Sequence, residues 1–133
     1  MSAWALEPID LAALVVPYLS SKMSDCTVST RVQHRNRMVY VEQIGGNRQS
    51  HVMDSQSMIV QTYAPTAGVA SKDCRDAYTW LMSMRHDPIL GLQVRDVESI
   101  GLPGRFDDPE SQEPRFQTTV QFNLRPLPMG VTP

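Results

Sequence analysis

Cysteine is scarce in this chain: Cys26 and Cys74 are the only two. They lie far apart and stand in no CxxC or Cys/His frame, which argues against a disulfide scaffold or a structural zinc site. Both are read as reduced, half-buried small residues. Histidine is almost as rare. His34, His51 and His86 form no pair at i+3 or i+4 and no HExxH, so they read as surface or loop residues. Charge of one sign is also missing. A net charge of −2 gives no global basic field for nucleic acid or anionic lipid. The most apolar run, Ile9 to Leu19, is too short to span a bilayer and contains Asp10 and Pro17. No basic segment precedes it, so neither a membrane span nor a secretory signal is expected, and assembly in a cytoplasm is.

Motifs that carry chemistry are lacking too. Gly45-Gly46-Asn47-Arg48 has no following lysine and Ser/Thr and opens no helix, so it is not a phosphate loop. No GxSxG stands out. Asp107-Asp108 are adjacent carboxylates in a proline-flanked loop, which read as a solvated turn rather than a metal or acid/base pair. The sequence therefore predicts no catalytic residue, no metal and no cofactor, and the expectation is a non-enzyme.

What is present is pattern. The 133 residues suit one domain with a real core. In Arg115–Arg125, Phe116, Thr118, Val120, Phe122 and Leu124 share one face, and Gln117, Thr119, Gln121, Asn123 and Arg125 the other. That period of two predicts a strand in a sheet with one apolar side. Pro114 and Pro126 bracket it. Upstream, a helix is expected from about Pro8 to Met23, with Ala12, Val15, Val16, Leu19 and Met23 as its stripe. Pro17 should bend it, or end it with a restart. Strands follow at Cys26–Val32, with Val28, Thr30 and Val32 inward, and at Met38–Ile44, which Gly45-Gly46 should end. Asn47–Ser55 reads as a polar loop. Gln56–Ala64 is a third strand, placed centrally because both its faces carry large residues.

Thr66 should cap a second helix running to about Arg85, with Ala70, Cys74, Ala77, Tyr78 and Leu81 buried. Its Trp80, Met82 and Met84 lie off that stripe and fit either a second core layer or an apolar patch. Leu92–Ile100 is a fourth strand whose alternation needs a bulge near Asp96. Gly101–Pro114 reads as a turn-rich arm. Residues 1–7 and 126–133 should be loose ends. The order α-β-β-β-α-β-β predicts an α+β domain over residues 1–133, with one largely antiparallel or mixed sheet of four to five strands covered by two helices. Charge is patchy. Arg31, Arg35, Arg37 and Arg48 gather around the second strand, and the arm at 105–115 is acidic.

Several segments, in this order and spacing, resemble a known family. They are Ile9-Asp-Leu-Ala-Ala-Leu-Val-Val-Pro-Tyr-Leu19, Val28-Ser-Thr-Arg-Val32, Met38-Val-Tyr-Val-Glu-Gln-Ile-Gly-Gly46 with Arg48, and Val60-Gln-Thr-Tyr-Ala64. After the second helix come Leu102-Pro-Gly-Arg-Phe-Asp-Asp-Pro109 and Pro114–Arg125. The whole resembles the tail terminator proteins of long-tailed bacteriophages, in the form common among phages of actinobacteria. It departs from them at Pro17, where the family usually has alanine or a charged residue, and in lacking a proline near Val32 or Gln33.

The resemblance implies a structural virion protein on the head-proximal end of the tail. It implies a homo-oligomeric ring, usually of six copies, that caps the tail tube protein, ends tube growth and meets a head-completion or neck protein. Genomic DNA would pass through the lumen without sequence-specific binding, and no membrane is involved. On that reading Asn47, Arg48, Arg105, Asp107, Asp108 and Arg115 are candidates for ring and tube contacts, and Arg35 and Arg37 for facing the DNA channel. Two alternatives stay open: another neck protein, or a small cytosolic α+β module that binds a ligand.

Overall fold

In the computed structural model the described residues are 5–32, 36–110 and 113–131. The first helix, α1 (Leu11–Lys22), starts where Asp10 accepts a hydrogen bond from the Ala13 amide. The predicted start at Pro8 is therefore too early, and Asp10 is the cap. Leu11, Val15, Tyr18 and Leu19 are buried, and Ala12 and Val16 pack at the margin of the core. Pro17 lies inside the helix, which does not end or restart there. A missing amide on a flank costs less than the burial of Val15 and Leu19 returns.

Four long strands make the sheet: β3 (Met38–Ser50), β4 (Met53–Tyr63), β5 (Val94–Arg105) and β6 (Arg115–Leu124), with the short β2 (Thr27–Ser29) outside β3. The order is β2-β3-β4-β6-β5, parallel between β2 and β3 and antiparallel elsewhere. β4 is central, as predicted, and the fold is the expected α+β arrangement. On β6, Thr118, Val120, Phe122 and Leu124 are buried and the residues between them are half-buried. The period of two is thus realised, and Phe122 is the largest fully buried side chain. Opposite it, α2 (Ala67–Met82), capped by Thr66, packs Ala70, Cys74, Ala77 and Leu81 into the core. Tyr78 packs against its edge. Met84, in a following turn of 3₁₀ helix (Met84–His86), is fully buried and Met82 adjoins the core, so those two form a second layer.

Some expectations fail. The first strand spans Thr27–Ser29 only, and Val32 is exposed. Gly45-Gly46 does not end β3, and Asn47–Ser55 is not a loop. The hairpin continues through a bulge between Gln43 and Gly45 and turns only after Ser50. Gly45 has φ of 85°, and a Cβ on Gly46 would overlap the carbonyl of Ser55. The pair therefore serves a bulge, where glycine is needed for both conformation and close approach. The predicted bulge near Asp96 is present: β5 shifts register between Val94 and Asp96, so Val94 and Val97 both reach the core. β5 extends to Arg105, which shortens the arm. The ends are not simply loose, since β1 (Leu6–Glu7) pairs with β7 (Leu127–Pro128).

Candidate functional site

Register places the predicted contact residues in two groups at opposite ends of the sheet. Arg48 pairs across to Asp54, then Leu124, then Val94. Arg105 pairs to Phe116, which is level with Thr62 and Val39. Eight steps along β6 separate the two levels, about 25 Å at the rise of a strand. Asn47 and Arg48 therefore belong to one rim, and Arg105, Asp107, Asp108 and Arg115 to the other. The sequence had no means of separating them, because it read the upper part of the β3–β4 hairpin as a loop.

At the first rim Arg48 grips Asp54, with Nε to Oδ1 at 2.5 Å and Nη2 to Oδ2 at 3.2 Å, and also donates to the Leu6 carbonyl. Asp54 is buried, as are its neighbours Ser55 and Gln56. Gln56 donates to the Ile9 carbonyl and accepts from Gln43. These side chains, with Pro8 and the two glycines, line a shallow cleft of about 260 Å³. Its polar groups are mutually satisfied, which suits bracing of the hairpin by the N-terminal segment.

At the second rim Arg105 donates to Asp107 at 2.9 Å, and Arg115 donates to the Phe106 carbonyl at 2.5 Å. The Arg105 hydrogen bond holds the Asp107 carboxyl below its usual range, and Asp107 in turn raises Arg105. Asp108 accepts from the Glu110 amide. Arg37 stands at this end too, but its guanidinium is committed. Nη2 meets Asp73 Oδ1 at 2.6 Å, and Nε meets Oδ2 at 3.1 Å. Asp73 is fully buried on the inner side of α2, so Arg37 anchors that helix to the start of β3. The hydrogen bond to Asp73 raises the Arg37 pKa further. Arg35 lies outside the described residues.

Cys74 is buried and Cys26 half-buried. Burial first, then the Asp73 charge, pushes Cys26 up to about 12, and burial pushes Cys74 up to about 11. Among the described residues, no group of three or more His, Cys, Asp or Glu side chains could hold a metal ion, and no helix is long and apolar enough to cross a membrane.

Sequence reasoning missed three features. The first is Asp73, whose place on the buried stripe (Ala70, Cys74, Ala77) was the available signal. The second is the sheet's other face. There Tyr40, Ile59, Gln61, Gln117, Thr119 and Gln121 are only half-buried, with Gln61 donating to Gln117 at 2.9 Å. The third is a set of exposed apolar side chains beside the strand edges, Ile44, Val52, Ile100, Leu102 and Phe106. Compared with known proteins, the chain matches no family model and no curated sequence.

Proposed function

We propose that this chain is a structural subunit that assembles with itself into a ring, and that the ring caps a bacteriophage tail tube at its head-proximal end. One observation carries the reading. The sheet is sealed on one face by α1 and α2 but left half-bare on the other face and along both long edges, with apolar side chains exposed beside those edges. A lone domain gains nothing from such surfaces, whereas a subunit needs them. The resemblance in segment order to tail terminators supplies the setting.

The physics of capping suits a ring. A tube grows because each added layer recreates the same head-to-tail docking face, a contact that does not close along the axis. A terminator matches that face on one side and withholds it on the other. Several weak sites engaging together give strong capping without a large interface in each copy. The two rims, Asn47–Arg48 and Arg105–Arg115, lie at opposite ends of the sheet, as the two faces of a ring require. The ring would present one to the tube and the other to the neck.

Electron microscopy of tails made with and without the protein tests the proposal. Overlong tubes in its absence, and restored length on adding it back, are expected. Binding to DNA-filled heads and not to purified tubes would instead make the chain another neck component. A protein that stays at 14.9 kDa beside tubes, leaving tube length unchanged, overturns the proposal.

A further inference from the structure

The sheet has two unpaired edges, and they are not alike. β2 covers β3 only at Met38–Tyr40. Beyond that, residues 41–50 have no strand on their outer side among the described residues, and residues 42–50 are all exposed. The other edge is β5, which has no strand on its outer side among the described residues either. An uncovered edge of this length offers a row of backbone donors and acceptors to another strand.

We infer that the β3 edge of one copy takes the β5 edge of a second copy, so that the sheet runs continuously from subunit to subunit. The inference rests on the self-assembly reading above and names its joining surface. Two observations carry it. First, β3, β4, β6 and β5 alternate in direction, so the two edge strands run oppositely. A second copy laid alongside with its sheet facing the same way therefore meets β5 with β3 antiparallel, the more favourable ladder. Each contact uses one edge of each kind, so the contact is heterologous, the type that makes a ring where the rotation between copies closes.

Second, apolar side chains stand exposed at both edges: Ile44 on the β3 side, and Ile100, Leu102 and Phe106 on the β5 side. Edge-to-edge docking gives them cover. The same levels set what lies beside the joint. The β5–β6 loop, with Asp107, Asp108 and Glu110, follows Arg105, which is level with Val39 through Phe116 and Thr62. Docking β5 against the next copy's β3 therefore brings that loop beside the start of the next β3.

β5 is guarded at its far end by Pro103, which donates no amide, and by register shifts around Gly101. Those features confine the ladder to Asp96–Ser99. They also prevent β5 from pairing with a second β5 along its whole length.

Reporters with one added cysteine test the inference. Gln49→Cys puts a thiol on the β3 edge and Arg95→Cys puts one close to the same level on the β5 edge, since Arg48 and Val94 share a level. Both positions are exposed; native Cys74 is buried and Cys26 half-buried, and the wild-type control accounts for their reaction. A short bismaleimide is added to each variant alone, to their equimolar mixture and to the wild type as control, with the mass of the untreated protein measured in parallel by light scattering. The expected result is a crosslinked dimer in the mixture and none in either variant alone. The double variant should yield a ladder ending in a closed ring. Dimers from Gln49→Cys alone would mean a two-fold β3–β3 contact and overturn the inference. No crosslink in the mixture, with a ring mass by light scattering, overturns the edge contact and leaves the ring standing. No crosslink with a monomer mass at every concentration overturns both.

Discussion

Arginine meets aspartate on both sides of this molecule, with different consequences. On the β3 side, Arg37 and Arg48 hold Asp73 and Asp54, whose side chains are 1% and 6% exposed. On the β5 side, Arg105 holds Asp107, which is 44% exposed. The closest contacts, 2.6, 2.5 and 2.9 Å, would rank the three pairs alike. Burial separates them. A carboxylate left alone in water keeps its hydration, whereas one left alone under a helix loses water and partner together. Arginines on the β3 side therefore hold the fold, and Arg105 is available to a partner. This reassigns Arg48, which on sequence alone looked like a contact residue of the same kind as Arg105, and Arg37, which was expected to face a DNA channel.

The largest test of this contrast is Arg37→Ala. It strands Asp73 beneath α2 and should cost about 3–5 kcal/mol, read as a lower urea midpoint with unchanged slope. Removing both charges with Arg37→Met and Asp73→Leu together should recover much of the loss. A single variant as stable as the wild type would remove the distinction between the two sides. Arg48→Ala comes next, at about 1–3 kcal/mol, because Asp54 keeps some access to water at the rim. Its effect should concentrate in faster amide exchange along residues 44–50, where the hairpin loses its brace.

Alkaline pH probes the same buried pair through its neighbour. Cys26 is raised from 9.0 to about 12, by burial and then by Asp73. A thiol whose folded pKa is raised contributes its full stability below about pH 9. As pH rises further the unfolded chain ionises first, and stability falls until the folded thiol also titrates near 12, by less than the roughly 1.4 kcal/mol per pH unit of a fully shielded group because Cys26 is only half-buried. Cys26→Ser should flatten that slope in urea titrations between pH 9 and 11. An unaltered slope would mean that other groups set the alkaline limit.

The legible part of the fold was what periodicity encodes. β6 alternates without a flaw, so its core face could be read from Thr118 to Leu124, and the conflict between Val94 and Val97 located the bulge at Asp96. The upper half of the β3–β4 hairpin could not be read that way. Gln, Asn, Ser and Gly there resemble a loop because β-propensity reflects a half-buried pleated surface, and this surface is exposed on its own chain. The Gly-Gly pair signals a turn and a bulge equally well. Free strand edges were equally hidden, since an edge is a property of what lies beside a strand. Asp73 was hidden for a related reason: an acid on an apolar stripe makes sense only once Arg37, from a distant segment, is seen to reach it.

The smallest expected effect tests the β5 side. Arg105→Ala removes the hydrogen bond that is the main cause of Asp107 titrating low. Asp107 should then titrate closer to its ordinary 3.8, although the Arg115 amide still donates to it and keeps part of the depression. A carboxyl with a lowered folded pKa gives its stability above the unfolded value and loses it as pH falls through the folded one. With both partners solvated, screening leaves little of that in the fold, so the urea midpoint at neutral pH should not move. A side-chain NMR titration of Asp107 checks the first half and urea unfolding the second. Arg105→Ala should nevertheless weaken self-association, measured by light scattering over a concentration series, because it alters the loop that docking brings towards the next copy. A variant that loses stability but associates normally would mean that Arg105 belongs with Arg37 and Arg48, and that the two sides of the molecule do the same job.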